Sequence, residues 1–329
     1  MPTELNPSES GNGKAATPAA EVGAMPLLAS VGERTHTGGM RVLSRVVPAV
    51  LILLLLYIVF IRMEATAWLF RPAPYPGGDW SEQRIYNAQD HWIPFGHSRL
   101  HAWLVPTIDP ARTVLFFHSR QGNISDQAEH ILRQRDLRAD TLLVDYPGYG
   151  KSPGTPSVAT LDQVGEASYQ YLVQQMHVPP SKIIVQGDEL GTAVAAHVAA
   201  MHPQVAGLIL ESPFPDLRHL ANAVLPMAGW FMSGNLNELH DVETYPGPVL
   251  VMYGSQDPNL PARLSQQVAQ AVRGAKTVHV VEGGTQAELI LQAGDDYSHW
   301  IQAFYQTTGT AVRDSKPEKE ELPLVPIGH

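Results

Sequence analysis

An α/β domain built on a parallel sheet and preceded by one apolar helix is the fold class this sequence predicts, on three observations. From about Asp79 onward, short β-branched runs alternate with helical patterns, the order that makes a parallel sheet. A strand ending at Gly187 turns sharply into a small-residue helix after Gly191. Val46 to Ile61 is an uninterrupted apolar run behind a polar leader. The chain has 329 residues and no cysteine. A domain of this size buries a substantial core without disulfides.

In chain order, residues 1–40 are rich in Pro, Gly, Ser and Ala without apolar periodicity, and are expected to form a disordered leader. Residues 41–71 hold the apolar run, bounded by Arg41 and Arg45 before it and Arg62 after it. It is slightly short of the ~20 residues that span a bilayer, but flanking arginines can reach the headgroups. Trp68 and Phe70 suit the interface. A core helix would show a polar face, and this run has none. Ala65-Thr66-Ala67 has the form of a signal-peptide cleavage site, whereas the long leader, Arg62 and Glu64 favour an uncleaved, single-pass transmembrane anchor. Arg34, Arg41 and Arg45 precede the run while Arg62 and Arg71 follow it, which favours a folded domain on the extracytoplasmic side. The formal net charge of −10 and the absence of a basic, aromatic-interleaved patch argue against a nucleic-acid partner.

Residues 72–310 form the expected folded domain. Lys182 to Thr192 reads K-I-I-V-Q-G-D-E-L-G-T. This is the layout of the G-x-S-x-G nucleophile elbow, where a strand-to-helix turn lifts a serine clear of the sheet. Gly187 and Gly191 supply the space such a strained turn needs, but its centre holds Glu189 instead of serine. Leu161, Val164, Ala167 and Tyr171 give helical spacing before Pro179-Pro180 stops the helix. Three further stretches complete the pattern. They are T-V-L-F-F-H-S-R-Q-G-N-I from Thr113 to Ile124, L-L-V-D-Y-P-G-Y-G-K-S-P-G-T-P from Leu142 to Pro156, and V-L-V-M-Y-G-S-Q-D-P-N-L-P from Val249 to Pro261. Beyond them, Gly294, Tyr297, Ile301 and Phe304 fall at G-x-x-Y-x-x-x-I-x-x-F spacing.

In that order these motifs resemble single-pass, membrane-anchored α/β-hydrolases of the bud-emergence type, neighbours of serine aminopeptidases and acyl-thioesterases, over roughly residues 75–308. The resemblance implies the α/β-hydrolase fold, with an eight-stranded, mostly parallel sheet and helices on both faces. It also implies a short cap insert at about 213–246 and a catalytic triad at the carboxyl ends of the strands. It places Glu189 at the nucleophile, Asp257 at the acid and, counting back from the Gly294 helix, Gln286 at the catalytic histidine. Arg120 and Leu190 fall at the two oxyanion-hole positions, and Ser119 stands where the family has a glycine.

Losing nucleophile or base alone removes on the order of 10⁶ in kcat in a serine protease. An amide neither takes nor gives a proton near neutral pH, so glutamine cannot replace histidine. Glutamate could attack carbon as aspartate does in related dehalogenases and epoxide hydrolases, but its ester would still need a base for hydrolysis. Glu189 would instead lie at a helix N-terminus, with its carboxylate expected to fill the oxyanion hole. Asp257 equally suits a loop cap, His118 a hydrogen-bonded structural role, and His299 a surface or packing position. His279 and His299 are the histidines nearest in sequence to the Gln286 loop. No metal-ligand spacing and no cofactor motif is present, so neither a metal nor a cofactor is expected.

Two functions follow as expectations. One is a membrane-tethered pseudohydrolase with a binding, regulatory or scaffold role. The other is a hydrolase of esters, thioesters or peptides that uses Glu189 as nucleophile or base. Leu225, Met227, Trp230, Phe231 and Met232 make the cap insert apolar, as a sheet cover or as a lid over an acyl or lipid-like ligand. Residues 311–329 are charged and contain proline, and are expected to be a disordered tail.

Overall fold

A computed structural model describes residues 37–224, 229 and 236–314. Helix α1 (Thr37–Leu69) leads into strand β1 (Arg71–Pro72) and a one-turn helix α2 (Glu82–Ile85). There follow β2 (Gln89–Phe95), β3 (Ser98–Val105), β4 (Arg112–Phe117), β5 (Gln121–Gly122), α3 (Ala128–Asp136), β6 (Ala139–Val144) and α4 (Val158–Gln170). The next elements are β7 (Ile183–Asp188), α5 (Leu190–Met201), β8 (Gly207–Glu211), α6 (Leu217–Val224) and α7 (Glu238–Thr244). The chain closes with β9 (Val249–Gly254), α8 (Ala262–Ala271), β10 (Lys276–Val281), α9 (Leu289–Ala293) and α10 (Asp295–Asp314).

Eight strands form one sheet in the order β10-β9-β8-β7-β4-β6-β3-β2. β3 pairs antiparallel with β2 and with β6, and every other pairing is parallel. The inner strands are buried on both faces, which is why they read as continuous apolar runs. Their alternate residues feed two separate cores. Leu115, Phe117, Val185 and Leu210 join one core with Val164 of α4, Val194 of α5 and Val268 of α8. Phe116, Ile184, Ile209 and Met252 join the other with Ile131 of α3 and Tyr297, Ile301 and Phe304 of α10. Helices thus cover both faces, as the alternating pattern predicts.

The chain divides into two units, 1–53 and 54–329, and α1 contributes to both. Between Val46 and Phe60 the apolar side chains of α1 are exposed, Val50, Leu51, Leu54 and Phe60 among them, with Ile58 half-buried. Its last residue, Leu69, and the following Phe70 are buried in the core of the second unit. Among the described residues no helix is long and apolar enough to cross a membrane.

Two expected boundaries shift. Helix α1 already begins at Thr37, inside the expected leader, and α10 runs on to Asp314, past the expected domain end at 310. In the cap insert, Phe214, Leu217, Leu220, Leu236 and Val242 are buried in the first core, so these residues cover the sheet. The expected lid residues Leu225, Met227, Trp230, Phe231 and Met232 lie outside the described residues, as do the leader before Thr37 and the tail after Asp314.

Candidate functional site

The turn between β7 and α5 has the close approach its glycines imply. A Cβ on Gly187 would meet the Gly191 carbonyl oxygen at 2.2 Å, and one on Gly191 would meet the Phe117 carbonyl oxygen at 2.0 Å. Between them Glu189 is held at φ 47° and ψ −108°, a conformation costly for any residue with a side chain. The Glu189 amide donates to the Glu211 carbonyl at 2.9 Å, and the Glu189 carbonyl accepts from the Thr192 amide at 2.9 Å.

The Glu189 side chain is almost wholly buried. One carboxylate oxygen accepts from the backbone N–H of Arg120 at 3.1 Å, and the other lies 3.0 Å from the Arg120 guanidinium Nε. The Leu190 backbone N–H also donates to this carboxylate. The two backbone donors at the oxyanion positions therefore both face the chain's own carboxylate. Burial raises the Glu189 pKa, against the pull of the Arg120 charge and these two N–H groups. Tyr149 fixes the loop by donating its hydroxyl to the Arg120 carbonyl at 2.7 Å.

Asp257 and Gln286 meet, but through the backbone. Asp257 accepts from the amides of Asn259 and Leu260, both at 2.7 Å, and from the Gln286 amide at 2.6 Å. It thereby caps its own turn and pins the loop that carries Gln286. The Gln286 side chain points elsewhere and donates to both carboxylate oxygens of Asp188, each at 2.9 Å. The three positions expected for a triad, Glu189, Asp257 and Gln286, show no described hydrogen bond between the Glu189 and Gln286 side chains. The Gln286 side chain is bonded to Asp188, and the Glu189 side chain to the Arg120 and Leu190 amides.

The histidines do not supply the missing base. His118 is buried and its Nδ1 lies 2.7 Å from the Ser119 carbonyl, with its pKa held below the ordinary value by burial. His279 stacks on Trp300 with ring centroids 4.3 Å apart, and the side chain of His299 is 71% exposed. Among the described residues no three His, Asp or Glu side chains are grouped to hold a metal ion.

Sequence reasoning missed a second polar constellation beside the elbow. A cavity of about 390 Å³ opens between α3 and the Gln286 loop, lined at its polar end by Asp188, Glu211, His130 and Gln286. Glu211 is engaged by His130 Nε2 at 3.2 Å, Gln186 Nε2 at 2.5 Å and the Tyr297 hydroxyl at 2.9 Å. Burial works against a charged His130, yet neighbouring Glu211 lifts its pKa above the ordinary value. Burial and then the charge of Glu211 push Asp188 up to about 8, although His130 and Gln286 pull it down. A carboxylate at the carboxyl end of a parallel strand, as Glu211 is, was the available signal. His130 carried none, since it sits on a helix 81 residues from its partner.

The family model for the alpha/beta hydrolase fold matches residues 112–244. The chain is 31% identical over 193 residues to the alpha/beta hydrolase domain-containing protein WAV2 of Arabidopsis thaliana, covering 53% of this chain and 63% of WAV2. It is 30% identical over 159 residues to protein bem46 of Schizosaccharomyces pombe, covering 45% of this chain and 52% of bem46. The chain therefore spans less than two thirds of either relative. Among solved structures, an alpha-beta hydrolase from Vibrio vulnificus superposes with a TM-score of 0.61 at 20% identity, over 74% of this chain and 92% of that one. With the sheet order, the elbow and these relatives in agreement, the chain belongs to the α/β-hydrolase fold family, close to its bud-emergence branch.

Proposed function

We propose that this protein is a pseudohydrolase, a hydrolase scaffold retained for binding, regulation or assembly. The observation that carries this reading is the Glu189 carboxylate, held by the backbone N–H of Arg120 and of Leu190. In a working serine hydrolase these donors stabilise the developing oxyanion of the substrate. Here the chain's own carboxyl group occupies them, so a substrate carbonyl has no such donors to polarise it. A carboxylate that accepts from two amides and is ion-paired with a guanidinium is also a poor nucleophile, since those contacts favour the resting charge. Gln286 adds no base, because its amide is spent on Asp188 and cannot carry a proton.

The exposed apolar face of α1 supports a further part of the reading. Side chains from Val46 to Phe60 would leave a large apolar surface in water, a feature that marks a membrane or partner contact. We infer that Val46–Ile61 anchors the chain in a membrane as a single pass, with the folded domain on the extracytoplasmic side. A fluorophosphonate probe tests the catalytic half of this proposal on the full chain. The wild type is expected to stay unlabelled, and the E189S/Q286H double variant to become labelled because the pocket is otherwise kept. Labelling of the wild type at Glu189 or nearby would overturn the proposal.

A further inference from the structure

Three carboxylates crowd the carboxyl ends of β7 and β8, and among the described residues two of them have a close cationic partner. Glu189 has the Arg120 guanidinium at 3.0 Å, and Glu211 has the His130 imidazole at 3.2 Å. Asp188 is hydrogen-bonded by the neutral amide of Gln286, and it shares the charge of His130, whose close partner is Glu211. Yet Asp188 is 7% exposed and lines the cavity of about 390 Å³, whose lining includes no lysine or arginine. The cavity is amphiphilic. Its lining also includes the apolar Ala287, Leu289, Ile290 and Leu291, and Asp126 and Glu129 add negative charge. Buried carboxylates are normally paired, and a concave site with an apolar wall and a few convergent polar groups is the usual form of a small-molecule site.

We propose that this cavity is a binding site for a small organic cation of the primary alkylammonium class, its ammonium paired with Asp188 and its chain against Leu289 and Ile290. The ammonium supplies a close cationic partner for Asp188 and can also donate to Glu211, while the aliphatic chain covers the apolar wall. The site lies beside Glu189 but does not use it, so binding here is separate from any ester turnover. The groups facing Asp188 fix the pH dependence: Glu211 on β8, Glu189 on the same turn, His130 on α3, and the Tyr146 and Tyr297 phenols. Burial, Glu211 and Glu189 hold Asp188 protonated up to about pH 8, against the pull of His130 and Gln286. A bound cation favours the ionised carboxylate, so binding below that pH releases a proton.

Calorimetric titration of the full chain with butylammonium chloride at fixed ionic strength, between pH 6 and 8.5, tests this. One saturable site is expected, tightening by up to about tenfold per pH unit below about pH 8 and levelling above it. 1-Butanol, the uncharged analogue, is expected not to bind. Asp188→Asn should weaken binding at least about tenfold, the least that loss of one charge-assisted contact implies. Ala287→Phe adds bulk to the cavity lining while keeping every carboxylate, and should weaken binding even if the Asp188 variant folds poorly. No saturable binding by the folded wild type would overturn the proposal. So would binding that ignores pH, or binding that survives in folded Asp188→Asn or Ala287→Phe.

Discussion

Arg120 holds both oxygens of the Glu189 carboxylate, one through its backbone N–H at 3.1 Å and the other through its guanidinium Nε at 3.0 Å. Both side chains are nearly inaccessible to solvent, at 3% and 4% exposure. A buried pair of this kind is costly to break from one side, because the remaining charge is left without compensation. Glu189→Ala is therefore expected to destabilise the domain by about 3–5 kcal/mol in urea unfolding, more than Glu189→Gln, which keeps an acceptor for the Arg120 amide. Equal stability of Glu189→Ala and wild type would mean that the pair contributes nothing to the fold.

The elbow glycines give a steric prediction. An added Cβ at Gly187 or Gly191 falls 2.0–2.2 Å from a backbone oxygen, which no side-chain adjustment relieves. Gly191→Ala should cost more than about 4 kcal/mol, in the range reserved for severe packing or backbone conflicts. A soluble Gly191→Ala variant with an unchanged unfolding midpoint contradicts the turn geometry.

Asp188 gives a prediction in pH. Its folded pKa is about 8 against an ordinary carboxylate value of 3.8, so the folded state holds the proton more tightly than the unfolded state. Its contribution to stability is then fully present below about pH 4, and is lost as pH rises from there through about 8. The Asp188→Asn variant lacks this titration. It should gain stability relative to wild type between pH 5 and pH 8, and a constant difference across that window rules the assignment out.

Gln286 acts as a staple between two strand ends. Its backbone amide is held by Asp257 after β9, and its side chain holds Asp188 at the end of β7. Gln286→Ala removes the second tie only, leaving Asp188 without its donor. A loss of about 1–3 kcal/mol is expected, with faster amide hydrogen exchange at residues 284–288. Unchanged exchange in that loop would show that Asp257 alone sets its order.

What could be read from sequence was what the backbone demands locally. Gly187, Gly191 and the alternating strands follow from sterics and from two-sided burial, and both are written in short windows. Gln286 could be placed by register, but not the direction of its amide, which depends on Asp188, 98 residues away. The Asp188, Glu211 and His130 constellation was illegible for the same reason: topology assembles it from three separate elements. The early start of α1 was hidden because Thr37, Gly38 and Gly39 look like leader composition, and local composition cannot show where a longer helix ends.

If the Glu189 carboxylate blocks the oxyanion site, no acyl transfer occurs there. Hydrolysis of p-nitrophenyl acyl esters by the purified full chain, beside the Glu189→Gln variant, tests it most directly. Both proteins are expected to match the uncatalysed rate within error. Turnover by the wild type that disappears in Glu189→Gln would make Glu189 a catalytic residue and overturn the pseudohydrolase reading.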